Sequence, residues 1–144
     1  MLQNQVILFW IGLVVFLIFL LYLNLILKVL KIIKEKELGR VQPWIAWLLL
    51  IPYAGLVVHF VIVNDISNAM MKWGKANDIA FKDGGKKVGF SLCILSVIVI
   101  LLKFLPPKAF YVLIILIPII VLILWFIWWN KINNFEAAIN KISK

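Results

Sequence analysis

Four long apolar stretches alternate with short polar ones along this chain. The first runs from Val6 to Leu27, interrupted only by Asn24. At 1.5 Å per residue, such a run as a helix matches the roughly 30 Å of hydrocarbon in a bilayer. A second run opens after Pro43 and extends from Trp44 to Val63, and a third extends from Val88 to Leu105 with Lys103 near its end. The fourth extends from Ala109 to Trp129 and contains Pro118. The pattern predicts an all-α fold: a polytopic membrane protein with four transmembrane helices, at about 6–27, 44–63, 88–105 and 109–129. They are expected to form one compact bundle, a single domain over residues 1–144.

The polar stretches give the punctuation. Lys28 to Leu38 places Val29, Ile32 and Ile33 on one helical face and pairs Lys31 with Glu35 at i,i+4, which predicts a first helix emerging into the headgroups and stopping at Gly39. Pro43 suits the first turn of the second helix; Pro52 is expected to bend that helix, and Gly55 to let a neighbour approach. Asp65 to Trp73 continues helically beyond the membrane surface until Gly74 and Asp83-Gly84-Gly85 break the pattern. Pro106-Pro107 predicts a tight hairpin between the third and fourth helices. In the tail, Ile132, Phe135, Ile139 and Ile142 recur at helical spacing, the pattern of an amphipathic helix lying in the interface. A cleaved signal peptide is disfavoured as a reading of the first run. Met1 to Gln5 holds no Lys or Arg, the run is long, and no Ala-x-Ala follows, so the segment is expected to stay.

Composition strengthens the membrane reading. Of 144 residues 65% are hydrophobic, and the mean hydropathy is +1.10, more apolar side chain than a soluble domain of this length can hide. Seven tryptophans fit a protein with two interfaces to mark; Trp10, Trp73, Trp125, Trp128 and Trp129 are expected at one boundary, Trp44 and Trp47 at the other. The net charge of +9 comes from lysines flanking apolar runs rather than from a nucleic-acid motif, which points to anionic lipid headgroups as partners and not to nucleic acid. Four spans put both termini and the second loop on one side. Lys72, Lys75, Lys82, Lys86, Lys87, Lys131, Lys141 and Lys144 then face Lys28, Lys31, Lys34, Lys36, Arg40, Lys103 and Lys108, nearly a tie under the positive-inside rule. The basic flank after the first helix tips the balance towards both termini outside.

The stretch Arg40-Val41-Gln42-Pro43-Trp44 through Ile51-Pro52, continued by His59-Phe60 and Ile66-Ser67, resembles a signature of small bacterial membrane proteins of unknown function. Trp128-Trp129-Asn130-Lys131-Ile132 is similar to the end of their fourth span, whereas Val58 stands where they usually carry Trp. The resemblance implies a four-span unit in a bacterial cytoplasmic membrane and implies no activity.

Few residues could carry chemistry. His59, the only histidine, lies well along the second run on the side shared with the N-terminus, either as an interhelical hydrogen-bonding group or as a titrating one. Ser91 begins the third run on the same side, and Asn24 lies near the opposite face, out of reach of His59. These three are the candidate interhelical polar contacts. Lys28, Lys31 and Lys34, with Asp65, Asn68 and Lys72 at i, i+3 and i+7, form a candidate face for headgroups or a partner. Lys103 can snorkel to the interface. Cys93, the only cysteine, reads as a small buried hydrophobe. All six acidic residues fall outside the runs, and one His with one Cys makes no metal cage, so neither catalysis nor a cofactor is expected. The expected role is an accessory or interaction subunit of a membrane complex or homo-oligomer; a homo-oligomeric pore or ion channel is the alternative.

Overall fold

The computed structural model describes residues 2–79, 81, 83–102, 104 and 107–142. Lys103 and the turn expected around Pro106 lie outside them. Every regular element among the described residues is helical: α1 (Leu2–Glu35), a 3-10 segment (Pro43–Leu50), α2 (Pro52–Ala76), α3 (Lys86–Leu102) and α4 (Pro107–Ile142). Three helices are long and apolar enough to cross a membrane, over Gln5–Glu35, Tyr53–Ala76 and Ile115–Ile142. The 17 residues of α3 span about 25 Å.

The expected helix at 44–63 is not one helix. Ile51 is extended (φ −86°, ψ 119°), the conformation that a residue preceding proline favours, so the chain breaks there instead of bending. The 3-10 segment and α2 then fold against each other. A Cβ on Gly55 would stand 2.7 Å from the carbonyl oxygen of Leu49, an approach only glycine permits. At the open end of this hairpin, the Asp65 carboxylate accepts hydrogen bonds from the backbone N–H groups of Arg40 (3.0 Å) and Val41 (3.1 Å). A segment whose two ends are bonded together cannot run from one end of the molecule to the other.

This overturns the expected arrangement of the ends. The C-terminal ends of α1, α2 and α4 gather with the N-terminal end of α3. Lys28 of α1 pairs with Glu136 of α4 at 2.6 Å, Asp83 before α3 pairs with Lys131 of α4 at 3.9 Å, and Trp73 of α2 packs edge-on against Phe135 of α4. The N-terminus of α1 and the C-terminus of α4 therefore lie at opposite ends of the molecule.

The core occupies only the gathered half. Ile26, Leu30 and Ile33 of α1 meet Ile62, Ile66 and Met70 of α2, Leu92 of α3, and Trp128, Ile132 and Phe135 of α4, all essentially inaccessible. Their three- and four-residue spacing makes one apolar stripe per helix. The tail pattern expected to lie in the interface is instead the last part of α4, because Ile132, Phe135 and Ile139 find protein to bury against. Bare backbone lets the helices converge: a Cβ on Gly85 would sit 2.7 Å from the Trp128 ring, and one on Gly89 would collide with Val63.

Gly39 is not the stop of α1. Glu37 takes the left-handed conformation (φ 55°), while Leu38 N–H bonds to the Ile33 carbonyl at 2.9 Å and Glu37 N–H to that of Lys34 at 3.1 Å, the paired bonds of a Schellman ending. Gly39 serves the hairpin instead, since a side chain there would occupy the space of Ile33 and the Asp65 carboxylate. Because left-handed backbone is costly for a residue with a Cβ, Glu37→Gly should raise unfolding stability in detergent by about 1 kcal/mol. Gly39→Ala should lower it. Tryptophan fluorescence through the unfolding transition measures both, and a destabilised Glu37→Gly would refute this assignment of the helix end.

Candidate functional site

The hairpin closure brings the first loop across one face of α2. Asn64, Asp65, Asn68, Met71, Lys72 and Lys75 recur at helical spacing along that face, and Leu38, Gly39 and Arg40 lie opposite; together they line an open cavity of about 410 Å³. Three of these side chains are cationic and one is anionic. Both oxygens of that one carboxylate, Asp65, already accept N–H groups of the loop. The groove therefore presents an excess of positive charge and two side-chain amides.

Asp65, Asn68 and Lys72 come together as expected. Arg40, Lys75 and Asn64 join them and were not singled out in the sequence. Asn64 and Lys75 were legible, four residues before Asn68 and three after Lys72; Arg40 was not, because its place depends on the reversal at Ile51. The α1 lysines stand apart. Lys28 is engaged with Glu136, and Lys31 and Lys34 are exposed without lining the cavity.

His59 is half-buried, and its Nε2 lies 2.9 Å from the hydroxyl of Tyr22. Tyr22 packs in turn against Trp125 and Trp129, with ring centroids 5.2 and 5.6 Å away. Its partnership with His59 corrects the expected level of Asn24: two residues from Tyr22, Asn24 lies at the depth of His59 rather than at the opposite face. Asn24 and Ser91 are both exposed, and among the described residues neither side chain has an interhelical hydrogen-bond partner. The expected division of the tryptophans fails for the same geometric reason. Trp44 opens the 3-10 segment just beyond the Arg40–Asp65 contact, at the end that also holds Trp73 and Trp128. Trp10, twelve residues before Tyr22 on α1, lies about 18 Å away from the Trp125–Trp129 cluster along the helix axis.

Asp83 organises the start of α3. Its carboxylate accepts N–H groups of Gly85 (3.0 Å) and Lys87 (3.3 Å), while Gly84 and Gly85 turn the chain with φ of 56° and 75°. The Gly85 bond, helped by those of Lys87 and the nearby Lys131 ammonium, holds the Asp83 carboxyl below the usual carboxylate range against a smaller opposing effect of burial. Among the described residues no group of three or more His, Cys, Asp or Glu is placed to hold a metal ion. Comparison with protein-family models, curated proteins and solved structures finds no match for this chain.

Two outcomes follow for stability. A double-mutant cycle with Tyr22→Phe and His59→Leu should give a coupling of about 0.5–1.5 kcal/mol, the scale of one interhelical hydrogen bond. A coupling near zero would mean that the two groups do not bond. A depressed carboxyl stabilises the folded state above its unfolded pKa of about 3.9 and loses that contribution as pH falls through the folded value. Asp83 should thus contribute unchanged from pH 7 to 5 and progressively less below about pH 4. Asp83→Asn should flatten that acid limb of the stability profile, and an identical limb in the variant would contradict it.

Proposed function

We propose that this chain is a multi-pass protein of a bacterial cytoplasmic membrane that acts as a small interaction subunit, joined through its membrane helices to another membrane protein or to its own copies. One observation carries the reading. The consecutive residues Val14, Val15, Phe16 and Leu17 of α1 are each at least half exposed, at 53, 60, 51 and 51%. Successive helical residues point about 100° apart, so no side of this part of α1 is covered by its own chain. Val6, Ile7, Phe9, Trp10, Ile11, Leu13 and Ile18 of the same helix are exposed as well. In a bilayer such a surface meets lipid or another helix, and Asn24, exposed on the same helix, supplies an amide that a neighbouring helix can satisfy.

In this reading α1, α3 and α4 cross the bilayer, and Pro43 to Asn64 enters from the side of the first loop and returns to it. The eight-residue 3-10 limb rises about 16 Å and the matching part of α2 about 18 Å, half or more of the hydrocarbon thickness. Irregular backbone at that depth is tolerated where protein covers it; Ala46 is fully buried, whereas Ile51 at the turn is 51% exposed, so a neighbouring chain must complete that cover. The charge distribution supports the same topology. Of the fifteen basic residues only Lys103 and Lys108 fall in the chain between the close of α3 and the first turn of α4; the others belong to loops and helix ends on the opposite side. The near-tie under four alternating spans becomes a strong bias, with both loops and the C-terminus in the cytoplasm and the N-terminus outside.

Single cysteines in a Cys93→Ser background test the arrangement. Lys36→Cys and Lys75→Cys should react from the same face of sealed vesicles, and Gln5→Cys from the other. Reaction of the first two from opposite faces would overturn the returning segment. Native mass spectrometry from nanodiscs tests the interaction role: the chain should leave as an oligomer or with a bound protein, and Asn24→Leu should weaken that assembly about fivefold. A monomer without a partner at every protein density would overturn it.

A further inference from the structure

We infer that the groove between the first loop and α2 is a binding site for a phosphate-bearing anion, with the headgroup of an anionic lipid as its natural form. The inference rests on the membrane placement proposed above for the lipid and on the groove alone for the phosphate. Arg40, Lys72 and Lys75 converge there from two separate elements, and none of them makes an ion pair among the described residues. The single carboxylate of the groove offsets only one of the three charges, and it makes no ion pair with any of them because its oxygens are held by backbone N–H groups. On the same end of the molecule Lys28 pairs with Glu136 and Lys131 with Asp83; what distinguishes Arg40, Lys72 and Lys75 from the other cations is that they line one concavity. Three unpaired cations gathered in one concavity repel one another, and an anion of two or three oxygens relieves that repulsion.

The donors suit phosphate in kind as well as in charge. A guanidinium fork matches two phosphate oxygens, the ammonium groups act as point charges, and the amides of Asn64 and Asn68 add neutral donors suited to an ester or glycerol oxygen. The cavity of about 410 Å³ is larger than an inorganic phosphate needs and falls within the range of sites that hold small organic molecules. Its position gives the lipid its place. Leu38 and Met71 line the same groove, and the chain passes from Arg40 directly into the exposed Trp44 and Trp47 of the returning segment, the aromatic pattern of a headgroup boundary.

The test uses the full chain in a non-ionic detergent, with tryptophan fluorescence or calorimetry reading the titration of dihexanoyl phosphatidylglycerol, dihexanoyl phosphatidylcholine and inorganic phosphate. Lys72→Gln/Lys75→Gln removes two groove cations, and Lys31→Gln/Lys34→Gln removes two exposed cations outside it with the same change in net charge. Phosphatidylglycerol should bind saturably and more tightly than phosphatidylcholine. The groove pair should weaken it about 25-fold, some fivefold per lysine, and the α1 pair less than threefold. Saturable inorganic phosphate binding as tight as the lipid's, with the same dependence on Lys72 and Lys75, would keep the site and assign it to a soluble phosphate. Equal losses in both double variants would show diffuse surface charge and overturn the site, as would the absence of saturable binding by either phosphate compound. If the cysteine experiment fails while the groove variants still lose phosphate, the membrane placement is wrong and the site stands.

Discussion

The arrangement depends on one carboxylate. Asp65 reaches back across twenty-five residues to the N–H groups of Arg40 and Val41, and everything between those points must leave and return. Several local features exist to make the closure possible. Gly39 leaves room for the carboxylate, Glu37 turns the chain out of α1 in time to meet it, and Ile51 breaks the apolar run so that it can come home. A hydrogen bond to a charged acceptor contributes about 1.5–3 kcal/mol where water is excluded; the Arg40 bond is exposed and the Val41 bond part-buried, so these two contribute less and act chiefly by fixing where the chain returns.

The molecule divides into halves that are stabilised differently. In the gathered half the helices bury one another in a core that could belong to a water-soluble bundle, with Trp128 seated against the start of α3, where Gly85 and Gly89 yield their side-chain space. In the other half the described side chains of α1 from Val14 to Leu17 are exposed on every side. Hydrophobic burial organises the first half, whereas in hydrocarbon only packing and polar contacts distinguish one arrangement of helices from another. A chain built this way fixes its fold at one end and leaves the other end for surroundings to define.

Much of this was legible in the sequence, and the failures share a cause. Run lengths located α1, α3 and α4 but not the break within the second run, and the stripe of Asp65, Asn68 and Lys72 fell on one face as its spacing implied. Hydropathy, however, measures how apolar a segment is and says nothing of its direction. Trp44 to Val63 is apolar enough to cross and long enough to cross, yet it breaks at Ile51 and folds back on itself. Pro52 signalled a disturbance without distinguishing a bend from a reversal. A second signal lay in the charges: alternating spans divide the basic residues almost evenly, without the bias that the positive-inside rule leads one to expect. Tyr22, by contrast, gave no signal of its own, since a tyrosine in an apolar run looks the same whether or not its hydroxyl has a partner.

The lengths of α1 and α4 carry a mechanical consequence. Helix α4 runs unbroken for 36 residues, through Pro118, from the bare half into the packed one, and α1 does so for 34. Neither has a loop where the two halves meet, so neither half can tilt without levering the other. A thinner bilayer, or a neighbour that leans on the uncovered part of α1, turns a rod whose far end carries Ile26, Leu30 and Ile33. The basic groove is built on the helix that packs against those residues. Helix α1, with no proline along its length, thus acts as a lever arm, and strain applied within the lipid arrives at the surface as torque.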